Sequence, residues 1–223
     1  MKRLRRFLFG ILAISALVVL PIRWMAPPAT AFMVRSQVLA WWEGRPDYRW
    51  QYHWVGLNRI SRFAQLAVIA SEDQAFATHV GFDFNAISKA MASNQHSHRV
   101  RGASTITQQT AKNLFLMPSR SWWRKGLEAY MTVWLELLLS KQRILETYLN
   151  VAQFGDGIFG VEAAARYYFH KPASQLDARE AATLAASLPN PLLFKPNRPS
   201  AYMLKRRNWI LEQMKRLGPN VLG

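Results

Sequence analysis

Cysteine is absent from the 223 residues, which excludes disulfides, thiol nucleophiles and Cys-ligated zinc or iron–sulfur centres. The same absence says nothing about compartment. Acidic residues are scarce, 13 against 29 Lys and Arg, so the formal charge is 29 − 13 = +16. That excess calls for an anionic partner: nucleic acid, a lipid surface or a phosphorylated substrate. No internal repeat or low-complexity tract is present, and no stretch alternates with period two for long enough to build a sheet. What is there is apolar surface. Half the residues are hydrophobic, and nine Trp, twelve Phe and seven Tyr exclude a disordered chain. The length suits one compact domain with a short appendage.

The N-terminus supplies the appendage. Lys2-Arg3-Leu4-Arg5-Arg6 precedes Phe7–Ile22, a 16-residue run without charge that Arg23 and Trp24 close. At about 1.5 Å per residue the run spans roughly 24 Å, short of a hydrocarbon core of roughly 30 Å. Snorkelling Arg6 and Arg23 and an interfacial Trp24 make up the difference. Basic residues ahead of an apolar run stay cytoplasmic, so the remainder is expected to be exported. A cleaved signal peptide is the competing reading, with Ala29-Thr30-Ala31 as its site. That site lies nine residues past the run and beyond two prolines, which favours an uncleaved single-span anchor. The expected organisation is therefore 1–23 as basic stub and anchor, 24–57 as a membrane-proximal segment rich in Trp, Pro and Arg, and 58–223 as the main domain.

That domain reads as all-α. Asn58 is placed to cap a helix through about Ser71, with Ile60, Phe63, Ala67 and Ala70 on one buried face. Asp83 caps a second helix carrying Phe84, Ile87 and Met91, and the polar, aperiodic Ser93–Gly102 is a loop. Thr105 and Gln108 form a capping box for a helix that Pro118 ends. Apolar residues from Leu127 to Leu149 recur at three-, four- or seven-residue steps, predicting one long helix from Trp122 to about Val151. Asp177 and Glu180 form another capping box before an Ala-rich helix, and a basic amphipathic helix runs from Ser200 to Leu217, with Gly218 just past its end.

Three features carry chemistry. Glu72 follows Leu66–Ser71 and falls at a helix C-terminus, where apolar neighbours, the negative helix end and adjacent Asp73 all disfavour the charged carboxylate. Such a group suits a general base near neutral pH; the plainer reading is a solvated helix end. Glu128 opens the long helix with Lys125 at i−3, a position that dipole and pairing alone would explain. Gly102–Gln109 enters a helix N-terminus with small residues, and Lys112 and Arg120 follow. This reads either as a diphosphate site or as ordinary capping.

Glu72–Asp83 (EDQAFATHVGFD) resembles the E-D-x-x-F-x-x-H-x-G-x-D signature of the peptidoglycan glycosyltransferases, family 51. Four more signatures of that family follow in order: Gly102–Gln109, Arg124–Glu128, Lys141–Asn150 (KQRILETYLN) and Gly157–Phe169. The similarity runs over roughly residues 45–215. The chain ends where the family's bifunctional members continue into a transpeptidase domain, so it resembles the monofunctional ones.

The resemblance implies an all-α, lysozyme-like glycosyltransferase domain behind one N-terminal transmembrane helix. It implies polymerisation of lipid II at the outer face of the cytoplasmic (inner) membrane, with inversion and release of undecaprenyl diphosphate. Glu72 would be the base that deprotonates the acceptor 4-hydroxyl, and Glu128 the second catalytic carboxylate. Lys89, Ser104, Thr105, Gln108, Gln109, Lys112, Arg120, Arg124 and Lys125 would bind substrate. Asp73, Phe76, His79, Gly81, Asp83 and Asn150 would be motif scaffold. No cofactor is required and no metal site is certain, with room for a divalent cation, Mg or Mn. Expected partners are lipid II, the nascent glycan strand and membrane lipids, with room for cell-wall synthesis or division proteins and none for nucleic acid. In the family the stretch before the second signature is a mobile flap, matching Ser93–Gly102. Two positions depart from the pattern: Lys89 stands where relatives carry Arg, which loses bidentate phosphate recognition, and Ala103 replaces a frequent Gly. A lysozyme-like glycan-cleaving enzyme and a non-catalytic membrane-anchored scaffold are the alternatives.

Overall fold

The computed structural model describes residues 2–95, 102–117 and 121–218. The first helix, α1 (Lys2–Val19), continues as a 3-10 turn over Leu20–Arg23 that Pro21 opens. Among the described residues it is the one helix long and apolar enough to cross a membrane. Its far end is bonded to the rest of the molecule. Val19 and Ile22 are buried in the core, and Arg143 donates from Nε to the Ile22 carbonyl (2.7 Å) and from Nη2 to the Met25 carbonyl (2.9 Å).

The helical body follows as α2 (Ala31–Trp42), α3 (Arg62–Glu72), α4 (Phe84–Gln95), α5 (Ile106–Phe115) and α6 (Trp122–Leu138), then α7 (Lys141–Val151), α8 (Val161–Phe169), α9 (Ala178–Ser187) and α10 (Ala201–Leu217). Side chains set the starts. Thr105 with Gln108 and Asp177 with Glu180 form the two capping boxes that their spacing predicts, and Asp83 accepts from the Ala86 N–H to cap α4.

Four expectations change. The helix assigned to Asn58 starts later, because Gly56 opens a short 3-10 turn and Ser61 caps α3. Ala64 rather than Phe63 then faces the core, and Phe63 is exposed. The long helix is two: Leu139 is extended (φ −116°, ψ 148°), and Ser140 caps α7 by accepting from the Arg143 N–H. The loop expected from Ser93 begins later, since α4 continues through Gln95, and residues 96–101 lie outside the described ones, as does the Pro118 stop. A small sheet is also present, with β1 (Gln51–Tyr52) parallel and β2 (Gln153–Gly155) antiparallel to the central β3 (Ile158–Phe159).

Packing fixes what the site rests on. Ala64, Ala67 and Ala70 of α3 and Ala181, Ala182, Ala185 and Ala186 of α9 are buried, small residues that let the two backbones approach closely, and α10 packs against both helices. α5 lies between α6 and α7 with α2 across it. Asn150 fastens β1 to α7: its Oδ1 accepts from the Val55 N–H (2.9 Å) and its Nδ2 donates to the Val55 carbonyl (2.9 Å).

Candidate active site

A cleft of about 700 Å³ opens at the C-terminus of α3, between the start of α4, the approach to α5 and the face of α10. Glu72, Asp83, Lys89, Ser104, Thr105 and Trp209 stand on its wall. Glu72, the last residue of α3, is only 13% exposed, and both its oxygens are held. Oε2 accepts from Gln109 Nε2 (2.9 Å), while Oε1 is 3.3 Å from the Ser71 hydroxyl and 3.4 Å from Arg206 Nη2. The Gln109 amide is oriented in turn, because the hydroxyl of fully buried Tyr148 donates to its Oε1 (3.1 Å). Burial, and then the charges of Glu72 and Asp73, push the Tyr148 phenol well above its usual range, so it remains a donor.

The neighbouring residue ties the motifs together. The Asp73 carboxylate sits 2.9 Å from His79 Nε2 and accepts the Ile106 N–H (2.9 Å), one of the unpaired donors in the first turn of α5. Thr105 donates to the Gly81 carbonyl (2.7 Å). Gly81 has φ +78° and Thr132 Cγ2 only 2.8 Å from where a Cβ would stand, so glycine is required. Phe76 is fully buried beneath His79, their rings meeting edge to face. Asp73, Phe76, His79, Gly81 and Thr105 thus hold the end of α3 against the start of α5.

Glu128 forms a second centre. It is 3% exposed, its Oε2 pairs with Arg124 Nη1 (2.8 Å) and its Oε1 with Lys125 Nζ. Lys125 Nζ also reaches to 3.5 Å of the Ser104 hydroxyl on the cleft wall. The Lys112 ammonium feels the charges of both Glu128 and Glu72. Burial lowers the Lys112 pKa from 10.5, against the opposing pull of Glu128. Its Nζ rests 5.8 Å from the centre of the Phe32 ring.

The residues singled out from sequence therefore divide by place. Glu72, Gln109, Lys112, Arg124, Lys125 and Glu128 join the two centres, and Lys89, Ser104 and Thr105 line the cleft. Gln108 is buried, and its side chain closes the capping box with Thr105. Asn150 holds the backbone of Val55, just past β1, and Arg120 lies outside the described residues. Sequence reading missed Arg206, Trp209 and Tyr148. Tyr148 lies inside a quoted motif but was not singled out there. Arg206 and Trp209 sit on a helix read only as basic and amphipathic, where nothing local distinguishes them. No group of three or more His, Asp and Glu able to hold a metal ion occurs among the described residues.

Two carboxylates, one beside a polar amide and one between two cations, with the half-buried Lys112 near them, suit transfer from an anionic leaving group. A family model described as "Transglycosylase" matches residues 37–215. The chain belongs to the transglycosylase family. It is therefore a glycosyltransferase. A relative from Mannheimia succiniciproducens named "Biosynthetic peptidoglycan transglycosylase" is 51% identical over 221 residues, covering 99% of this chain and 91% of its own length. Relatives of the same name from Cronobacter sakazakii and Escherichia coli are 57% and 54% identical, covering 87% and 96% of this transglycosylase and 80% and 90% of themselves.

Proposed function

We propose that this transglycosylase polymerises peptidoglycan glycan strands, moving the growing lipid-linked chain onto the 4-hydroxyl of lipid II. The observation that carries the reading is the pair of carboxylate centres: Glu72 on the cleft wall, and Glu128 between Arg124 and Lys125, the latter reaching Ser104 on that same wall. Glu72 takes the proton from the acceptor hydroxyl as that oxygen attacks the anomeric carbon of the donor. The bond from that carbon to the diphosphate oxygen breaks on the opposite face, which inverts the centre and releases undecaprenyl diphosphate.

Negative charge grows on the departing diphosphate, and fixed cations aimed at it supply the larger share of catalysis. Lys112, Lys89, Arg124 and Lys125 are those cations, with Arg120 assigned to the same task by its motif. Glu128 holds the Arg124 and Lys125 side chains in place, so its contribution passes through them. Gln109 engages Oε2 of Glu72, while the longer contacts of Oε1 with Ser71 and Arg206 are the ones an acceptor hydroxyl would replace. Ser104 and Thr105 line the path between the two sugars.

α1 anchors the enzyme in the cytoplasmic membrane with its basic N-terminus inside and the catalytic body on the outer face. A lipid-linked diphosphate demands that position, and surplus basic charge draws the body to anionic headgroups. The test is incubation of the purified full chain in detergent with labelled lipid II. Ladders of glycan and free undecaprenyl diphosphate are the expected products. Cleavage of pre-formed glycan without ladders would replace the polymerase with a glycan-cleaving enzyme.

A further inference from the structure

An apolar groove of about 310 Å³ lies away from the catalytic cleft, at the outer end of α1. Val18, Pro21, Ile22, Met25 and Pro27 form one side of it, and Phe115 at the C-terminus of α5 stands on the other. From this groove we infer a second binding site: it seats the first isoprene units of a polyprenyl diphosphate whose head lies at Lys112. The inference rests on the functional reading above.

Three observations support that occupant. The first is position. Phe115 is one helical turn beyond Lys112 on α5, about 5 Å along the axis, and a polyprenyl diphosphate joins its charged head directly to its apolar chain. The second is a separate contact at the same place. Lys112 Nζ lies over the ring of Phe32, in the first turn of α2, and Ala29, just before that helix, lines the groove. Lys112 and the groove are thus approached by the same two parts of the chain, the C-terminal half of α5 and the start of α2.

The third is that the groove is already formed. Pro21, Pro27 and Pro28 fix their own backbone, and the two bonds from Arg143 to the carbonyls of Ile22 and Met25 hold the segment against α7. The groove of about 310 Å³ has room for the first part of a long polyprenyl chain and not for its whole length. An acyl chain of bulk phospholipid would fit the apolar walls equally well but gains nothing specific from Lys112. The diphosphate requirement separates the two.

The experiment uses the full chain with p-benzoylphenylalanine in place of Ala26, an exposed residue on the groove wall, reconstituted in phosphatidylglycerol nanodiscs. Irradiation with radiolabelled undecaprenyl diphosphate should label the protein. Unlabelled undecaprenyl diphosphate should compete at least tenfold better than undecaprenol, and Lys112→Met should abolish that preference. Equal competition by undecaprenol, or labelling that phosphatidylglycerol alone suppresses, overturns the site. In turnover, Ala26→Trp should raise KM for lipid II at least fivefold, with kcat within twofold. An analogue with a ten-carbon chain should be affected less; equal effects on both substrates also count against the groove. If the wild-type chain makes no glycan while labelling still demands the diphosphate, the polymerase reading fails and the groove stands.

Discussion

Glu72 is oriented by a relay of side chains. Tyr148 donates to Gln109, and Gln109 can then offer only its amide N–H groups to Glu72. Tyr148→Phe keeps the ring and removes the donor, a loss of about 1 kcal/mol for one net hydrogen bond, or roughly fivefold in kcat. KM should hardly move. In a Gln109→Leu background the same substitution should cost nothing further, and multiplying effects in the double variant would show that Tyr148 acts by another route. Lys112 gives a pH signature. Burial holds its pKa below that of an ordinary lysine, so its charge is complete at lower pH and is lost earlier as pH rises. The alkaline limb of the rate profile should therefore fall early, and Lys112→Arg, which stays charged, should extend it upward. Coincident limbs would remove Lys112 from the diphosphate site.

Among the elements, most helices were legible, but α2 and α8 were not read as helices and the break between α6 and α7 was missed. The apolar steps from Leu127 to Leu149 pass across Leu139 unchanged because α6 and α7 bury adjoining faces of one core, so periodicity runs on while the backbone turns. Ser140 was the available signal, a hydroxyl that caps the next helix. The sheet escaped for a different reason: its strands are two or three residues long, too short to show alternation. Beside it, Asn150 bonds the backbone of Val55 just past β1, and Gly160 just past β3 has φ +84° and would set a Cβ 2.5 Å from the Asn150 carbonyl oxygen. Gly160→Ala should cost about 3 kcal/mol through clash and left-handed strain, lowering Tm by about 6–12 °C. Gly126→Ala, on the open face of α6 with nothing within 4 Å, should instead raise Tm slightly. Equal shifts for the two would remove the special place given to Gly160.

For the whole molecule, anchor and body are one packed unit. Ser15 meets the Tyr130 hydroxyl (2.8 Å), and Arg23 donates to the Leu138 carbonyl (3.2 Å). Arg23 is eight residues past Ser15 and Leu138 eight past Tyr130, so α1 and α6 run side by side in the same direction. Trp122 and Trp123, which open α6, the helix packed against α1, are 91% and 87% exposed, rings of the kind that sit at a membrane interface. Brominated phospholipids should quench the reconstituted protein, and substituting both tryptophans by Phe should remove a clear part of that quenching. Unchanged quenching would place α6 in water. The apolar N-terminal helix was legible in the sequence; its pairing with α6 joins residues more than a hundred apart in the chain, which no local pattern carries.

The central claim is that Glu72 is the base of a glycan-polymerising site. Its most direct test compares wild type, Glu72→Gln and Glu128→Gln on labelled lipid II, with products resolved on a gel. The account predicts ladders from wild type, none from Glu72→Gln, and sharply reduced ladders from Glu128→Gln, whose Arg124 and Lys125 lose their shared carboxylate. Ladders of equal strength from wild type and Glu72→Gln would contradict it.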